Sequence, residues 1–419
     1  MPLAVGIDFG TTNSAVAVAD DTGAVQLLPL PAPGGGVANT WRSIMFFESG
    51  DAPGQVLISA GTPAMERFAE SGGQGRLVQS IKSHLASELF GGTHAMGRYY
   101  RIEDLIATFL RKLRGAVNTD LGRRAVVGRP VRYWGAETAA DEARALARMT
   151  TALALAGFDD VTFEYEPVAA ARRYAATLDH EELVVIADFG GGTSDFSVVR
   201  VGGEAGATVL ATSGVAVAGD AFDARLVDHV VAPSLGLGSS YEAEFGRQMP
   251  VPPWLFTNLR RWHHLSFLRS PKTTALLEKI RHGASDPQGI ERLIHIVEDD
   301  LGLPLHQAIE ANKRALSEHA AARFVFEHAG LALEADVSRA AFDDWIAEEI
   351  GAIDRAVQEA LTGAGVAASA VERVFTTGGS SLVPAVRARL AATFGAGRLI
   401  GGDELTSVAW GLAAVAAER

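Results

Sequence analysis

Two aspartates carry the first chemical signal in this chain. Asp8 ends the apolar run Ala4-Val5-Gly6-Ile7 and leads into Phe9-Gly10-Thr11-Thr12-Asn13-Ser14. Asp188 ends Val184-Val185-Ile186-Ala187 and leads into Phe189-Gly190-Gly191-Gly192-Thr193-Ser194-Asp195. A second apolar stretch follows each block, at Ala15–Val18 and at Phe196–Val199. Such an acidic turn, rich in Gly and Thr, exposes N–H groups and hydroxyls where a phosphate can lie. Two copies, each with a carboxylate, suit a nucleotide triphosphate and its Mg2+ held between two related lobes. Mg2+ keeps most of its water and uses few direct protein ligands, so Asp8 and Asp188 would hold it through that water shell. The alternative is that each Asp caps a strand end, and repetition argues against it.

Other residues extend the pattern. Thr11, Thr12 and Thr193 offer hydroxyls to β- or γ-phosphate oxygens. Gly10, Gly190, Gly191 and Gly192 permit positive φ and close backbone approach. Glu310, Lys313, Arg314 and Ser317 recur at i, i+3, i+4 and i+7, so they share one helix face. Glu310 and Ser317 could hydrogen-bond ribose and adenine, Arg314 could stack on the base, and Lys313 could reach ribose or phosphate. A solvated charged face is the competing reading, weakened if Gly378-Gly379-Ser380 forms the opposite wall. Adjacent His263 and His264 point in different directions, and no metal site is expected there.

The elements that must position these groups follow from periodicity. Residues 3–9 and 15–19 read as a hairpin, and Ser43–Phe47 as a strand. Pro29 to Gly36 is a Pro/Gly-rich excursion. Residues 103–118 repeat apolar positions at helical spacing (Leu105, Ile106, Phe109, Leu110, Leu113). Ala125–Gly128 is a buried strand, 136–157 an amphipathic helix stopped by Gly157, and Val161–Tyr165 a strand. Glu166-Pro167 opens a helix over 168–177. The rhythm restarts at Leu183, with helices near 340–362, a strand at Val371–Phe375, a turn at Thr377–Ser381 and a helix from Pro384. Between 232 and 335 the rhythm breaks, and the segment reads as an insertion. Its Trp254, Phe256, Trp262 and Phe267 are expected to form a core rather than a partner surface.

Composition narrows the class. The chain has 419 residues, 48% hydrophobic and 21% charged, enough for more than one domain with a real core. Its net charge of -13 argues against a general nucleic-acid or anionic-membrane binder. It contains no Cys, so disulfides and thiolate metal sites are excluded. Met1-Pro2-Leu3 leads straight into a strand, so no signal peptide is expected. The apolar run Val408–Ala417 is too short to span a bilayer.

Taken with Glu166-Pro167-Val168-Ala169-Ala170-Ala171, Gly219-Asp220-Ala221-Phe222-Asp223, Gly378-Gly379-Ser380-Ser381 and Ser407-Val408-Ala409-Trp410-Gly411-Leu412, these motifs stand in a familiar order. The chain resembles the actin, sugar-kinase and heat-shock ATPase superfamily, and most of all the ATPase part of the heat shock protein 70 (DnaK-type) family. The resemblance covers nearly the whole chain. It implies an α/β, actin-like (ribonuclease H-like) fold of two lobes. Each lobe has a mixed, five-stranded type of sheet flanked by helices, with subdomains inserted. Lobe I would span 1–179, with core 1–40 and 120–179 and an insertion near 41–119. Lobe II would span 180–399, with core 180–231 and 336–399 and an insertion near 232–335. Residues 400–419 would return to lobe I as a helix.

The same resemblance implies roles. Lys82 lies where the family has a catalytic Lys touching the γ-phosphate and attacking water, against the competing reading of an ordinary surface Lys. Glu166 would reach the metal's water shell or the attacking water, and Asp195 would orient water and metal. Gly219 would join Gly378, Gly379 and Ser380 around the nucleotide. The small residues Ala169, Ala170 and Ala171, with Ala409, Gly411 and Ala413, would let two helices cross closely as a hinge. Leu382 stands where the family carries an Arg that packs on the base, and Asn13 replaces an aromatic residue. Only eight residues follow Gly411 here, so the family's apolar linker and peptide-binding β-sandwich are not expected. Short bacterial DnaK-like proteins share that layout. The implied function is an ATP-binding, slowly ATP-hydrolysing switch using ATP/ADP and Mg2+ in the cytoplasm, with client or co-chaperone proteins as partners. An actin-like filament protein, a small-molecule kinase of the superfamily and an enzyme-reactivating factor remain alternatives.

Overall fold

Apolar runs buried on both faces form the central strands, and the turns between them leave the chemistry at strand ends. The computed structural model describes residues 4–71, 74–175, 178–203, 207–261, 265–268, 270–299, 301–401 and 407–418. Strand β1 (Ala4–Phe9) pairs antiparallel with β2 (Asn13–Ala19), which pairs antiparallel with β3 (Val25–Leu27). A short strand, β4 (Trp41–Arg42), joins the start of β2, with Arg42 opposite Asn13. The excursion around Pro29–Gly36 is itself folded as a small hairpin, Leu30–Ala32 against Gly36–Ala38. Helix α1 (Ile102–Ala116) buries Leu105, Ile106, Phe109, Leu110 and Leu113. Strand β5 (Arg124–Arg129) then runs parallel to β1. Helix α2 (Ala139–Leu155) starts on a capping box, Thr138 with Asp141. Strand β6 (Asp160–Tyr165) runs parallel to β5, and α3 (Glu166–Ala175) begins directly after it. The helix therefore opens on Glu166 itself, two residues before the predicted start.

A second sheet repeats the first. Strands β7 (Glu182–Phe189), β8 (Ser194–Val201) and β9 (Ala207–Val215) form an antiparallel run. Helices α4 (Gly219–Leu226), α5 (Gly302–Glu318) and α6 (Ala347–Ala364) follow in the chain. Strand β10 (Arg373–Thr377) is parallel to β7; after α7 (Pro384–Phe394), β11 (Leu399–Gly401) is parallel to β10. The strand orders are β6-β5-β1-β2-β3 and β11-β10-β7-β8-β9, with the same parallel and antiparallel steps. The molecule is thus a mixed α/β protein in which the two acidic turns occupy equivalent positions of two like sheets.

The segment 232–335 does not keep its apolar residues apart. Leu255, Phe256, Ile290 and Phe324 belong to one buried cluster with Val185, Phe189 and Phe196 of the second sheet. Phe256 is buried, while Trp254 is 44% exposed. Trp262, His263, His264 and the Phe267 side chain lie outside the described residues.

Helix α8 (Ser407–Ala417) packs back onto the first sheet. Ala409 and Ala413 cluster with Ala15 and Ala17, and Leu412 with Ala169 and Val126. A β-carbon on Gly411 would collide with the Ala169 carbonyl oxygen of α3, so the helices cross at backbone contact. Gly→Ala in a helix ordinarily gains about 1 kcal/mol. Here the collision reverses the sign: Gly411→Ala is expected to destabilise by about 1–3 kcal/mol, read as a lower urea midpoint.

Candidate functional site

Between the two sheets lies a cavity of about 1550 Å³. Its lining gathers residues far apart in the chain: Asp8, Gly10, Thr11, Thr12 and Asn13 from the first turn, and Asp188, Gly190, Gly191, Gly192, Thr193 and Asp195 from the second. Lys82, Glu166 and Gly219 join them, as do Glu310, Lys313, Arg314 and Ser317 of α5 and the Gly378-Gly379-Ser380 turn. A β-carbon built on Gly191 would sit 2.5 Å from Thr12 Oγ1, so the two turns abut. One expectation fails: Gly10, Gly190, Gly191 and Gly192 all lack a positive φ. Close approach accounts for two of them: a side chain on Gly10 would strike the Asn13 carbonyl and one on Gly191 would strike Thr12, while Gly190 and Gly192 have room for a β-carbon.

On the cleft floor Lys82 is not a surface residue. Its side chain is 11% exposed, and its Nζ lies 2.6 Å from Glu166 Oε1. Glu166 gets there because α3 starts on it directly beyond β6. Thr377, the register partner of Asp188, donates its hydroxyl to Asp188 Oδ1 at 2.6 Å. Thr193 Oγ1 donates to Asp195 Oδ2 at 2.9 Å. On the upper wall, Lys313 pairs with the buried Asp223 at 2.7 Å and also reaches the Gly219 carbonyl at 3.4 Å, tying α5 to α4. Ser317 donates its hydroxyl to the Lys313 carbonyl at 3.0 Å. Arg42 crosses from the first sheet to Glu310 at 3.2 Å. Leu382, at the rim, is 51% exposed.

Electrostatics single out the floor. Burial, with repulsion from Glu166 and Asp188, raises the Asp8 carboxyl to about 7, against the opposing pull of Lys82. Burial also raises Asp188, moderated by the Thr377 hydrogen bond. Asp195 opens to the cleft, but enclosing walls limit its solvation; this and the Asp188 charge lift it to about 7. Burial would lower the Lys82 ammonium, but Glu166 and Asp8 outweigh it and hold the pKa above the ordinary lysine range. Burial pushes Tyr133, beside the same pair, up to about 12. Asp223 rises to about 6 through burial, despite Lys313.

Carboxylates from Asp8, Glu166, Asp188 and Asp195 thus crowd around the Lys82 ammonium. This donor set fits a divalent cation bound through water, because the cation would relieve the repulsion that raises Asp8 and Asp188. Among the described residues no group of three Asp, Glu or His side chains is close enough to chelate an ion directly. The first turn, with Thr11 and Thr12, and the Gly191–Thr193 turn fit a phosphate chain. Sequence reasoning missed Arg42, Thr377, Asp223 and Tyr133 as parts of this site. Thr377 was open to inference from its place at a strand end one residue before Gly378; Arg42 sits in a segment with no motif. Among the described residues no helix is long and apolar enough to cross a membrane.

Comparison with known proteins points one way. A family model described as "Hsp70 protein" matches residues 76–234 and 290–418. "Chaperone protein DnaK" of Thermosipho melanesiensis is 27% identical over 398 residues, which is 93% of this chain and 55% of that protein. "Chaperone protein DnaK" of Deinococcus proteolyticus is 26% identical over 406 residues, 92% of this chain and 54% of that protein. The chain spans about half the length of these curated relatives.

Proposed function

We propose, on the premise that this chain belongs to the Hsp70 family, that it is a nucleotide-operated switch. It binds ATP and ADP with Mg2+ in the cleft and slowly hydrolyses ATP to ADP and phosphate. The carrying observation is that the Asp8 and Asp188 turns meet across one cavity, Thr12 against Gly191. The shared strand path of the two sheets supports an actin-like, ribonuclease H-like architecture. In it, lobe I takes residues 1–179, lobe II takes 180–399 and the final helix returns to lobe I.

Phosphoryl transfer depends on positioning and charge neutralisation more than on covalent chemistry. Thr11, Thr12, Thr193 and the backbone N–H groups of both turns hold phosphate oxygens. Lys82 sets its charge at the γ-phosphate. Glu166 fixes Lys82 and, with Asp195, orients the attacking water; Asp195, titrating near 7, is poised to accept its proton. Mg2+ would be held through its water shell by Asp8 and Asp188, neutralising charge on the polyphosphate. Arg314 and the Gly378–Ser380 turn enclose the nucleoside, and Lys313 holds that wall to α4. Closure of the lobes about the α3–α8 crossing links nucleotide state to shape, which client or co-chaperone proteins of the cytoplasm read.

Calorimetric titration with Mg·ATP, combined with phosphate-release kinetics, tests this. Saturable binding at one site is expected, with slow phosphate release that sugars do not accelerate. Absence of binding overturns it.

Protonation gives a second check. Asp8 and Asp195 titrate near 7 in the folded protein against an ordinary 3.8. A raised carboxyl pKa stabilises the fold fully below the unfolded value, and the gain is lost as pH rises through the folded one. The ligand-free protein is therefore expected to lose stability between about pH 4 and pH 8. Binding Mg·ATP would ionise Asp8 beside the metal, releasing about half a proton at pH 7. Titrations in buffers of different ionisation enthalpy read that number; zero release contradicts it.

A further inference from the structure

Arg42 stands on β4 as the register partner of Asn13 in the first turn. The Ser43 N–H donates to the Thr12 carbonyl at 2.8 Å, so the backbone carrying Arg42 is fastened to that turn. The side chain leaves the first sheet and crosses the cleft. Its Nη2 lies 3.2 Å from Glu310 Oε2 and 3.5 Å from Oε1. Both residues line the cavity.

This pair differs from its neighbours in the cleft. Lys82–Glu166 and Lys313–Asp223 are enclosed, with side chains 8–17% exposed. Arg42 and Glu310 are 45% and 38% exposed. An ion pair so open to water is weak and easily exchanged. A polyphosphate carries more charge than one carboxylate and offers the paired oxygens that a guanidinium fork matches. Arg42 is anchored one strand spacing from the turn where such a chain would lie.

Resting on the nucleotide reading above, we propose that Arg42 is a further phosphate-binding residue. It exchanges Glu310 for the polyphosphate when a nucleotide enters. The same exchange frees the Glu310 carboxylate for the nucleoside contact already expected of it. Glu310 is thus a competitor for Arg42 before binding and a nucleoside ligand after it.

Opposed effects of two substitutions test the exchange, using Mg·ATP and inorganic tripolyphosphate as probes in displacement of a fluorescent ATP analogue. Both side chains are exposed, so the variants are expected to fold, and circular dichroism with a melting curve checks this. Arg42→Ala should weaken both probes about tenfold, the loss of a charge-assisted contact. Glu310→Gln should tighten tripolyphosphate about two- to threefold, because Arg42 no longer has to leave a carboxylate. Arg42→Ala within twofold of wild type for both probes overturns the proposal and leaves ATP binding standing. So does tripolyphosphate that binds Glu310→Gln no better than wild type, or that displaces the analogue from neither. Failure of the wild type to bind ATP removes both readings together.

Discussion

Replacing Lys82 with Ala is expected to slow phosphate release by about 10²–10³-fold, the usual cost of deleting one preorganised charge donor at a transition state. The Mg·ATP dissociation constant should move far less. The ammonium is enclosed, 2.6 Å from Glu166 Oε1, and is held charged by Glu166 and Asp8. Its field is therefore fixed before substrate arrives, and charge developing at the γ-phosphate meets it without reorganisation. Deleting it also leaves Glu166 buried without its counter-charge, a change that destabilises proteins on its own. A Lys82→Gln, Glu166→Gln double variant neutralises both partners and separates folding from catalysis. Single-turnover kinetics make the comparison, and a Lys82→Ala rate within threefold of wild type contradicts the role.

The other large effect belongs to the repeated carboxylates and changes sign with the metal. Asp188→Asn, or Asp8→Asn, should weaken ATP binding in Mg2+ by about 100-fold, as expected when a charged ligand is lost near a divalent cation in an enclosed site. In EDTA the same variants should bind ATP as well as wild type or better. The substitution removes a negative charge that repels the polyphosphate and its carboxylate neighbours. Paired titrations with and without Mg2+ read this directly. Equal weakening in both conditions assigns the residues to the fold of the turns instead.

Much of this was legible in the sequence because the relevant signals are local. The Asp-Gly-Thr turns announce themselves by composition, and their recurrence foretells two sheets built on one plan. The helix face of Glu310, Lys313, Arg314 and Ser317 follows from a 3.6-residue period. Gly411 among small residues marks a helix crossing. Pairings across the cleft were not legible, because nothing in a strand or helix pattern states which elements will face each other. Arg42 meets Glu310 only where the first sheet faces α5, and Lys313 meets Asp223 only where α5 packs on α4 within one wall. Resemblance puts Lys82 at the family's catalytic Lys, but its enclosure against Glu166 has no local signal. At the turns, contact with the Asn13 carbonyl excludes a side chain on Gly10 and contact with Thr12 excludes one on Gly191, and no positive φ is used.

A structure determined with Mg2+ and a non-hydrolysable ATP analogue tests the central claim most directly. One ion is expected between Asp8 and Asp188, with terminal phosphate oxygens bounded by Thr11 and Thr12 on one side and Gly191 to Thr193 on the other. An analogue bound to only one of the two turns, or outside the cleft, contradicts it.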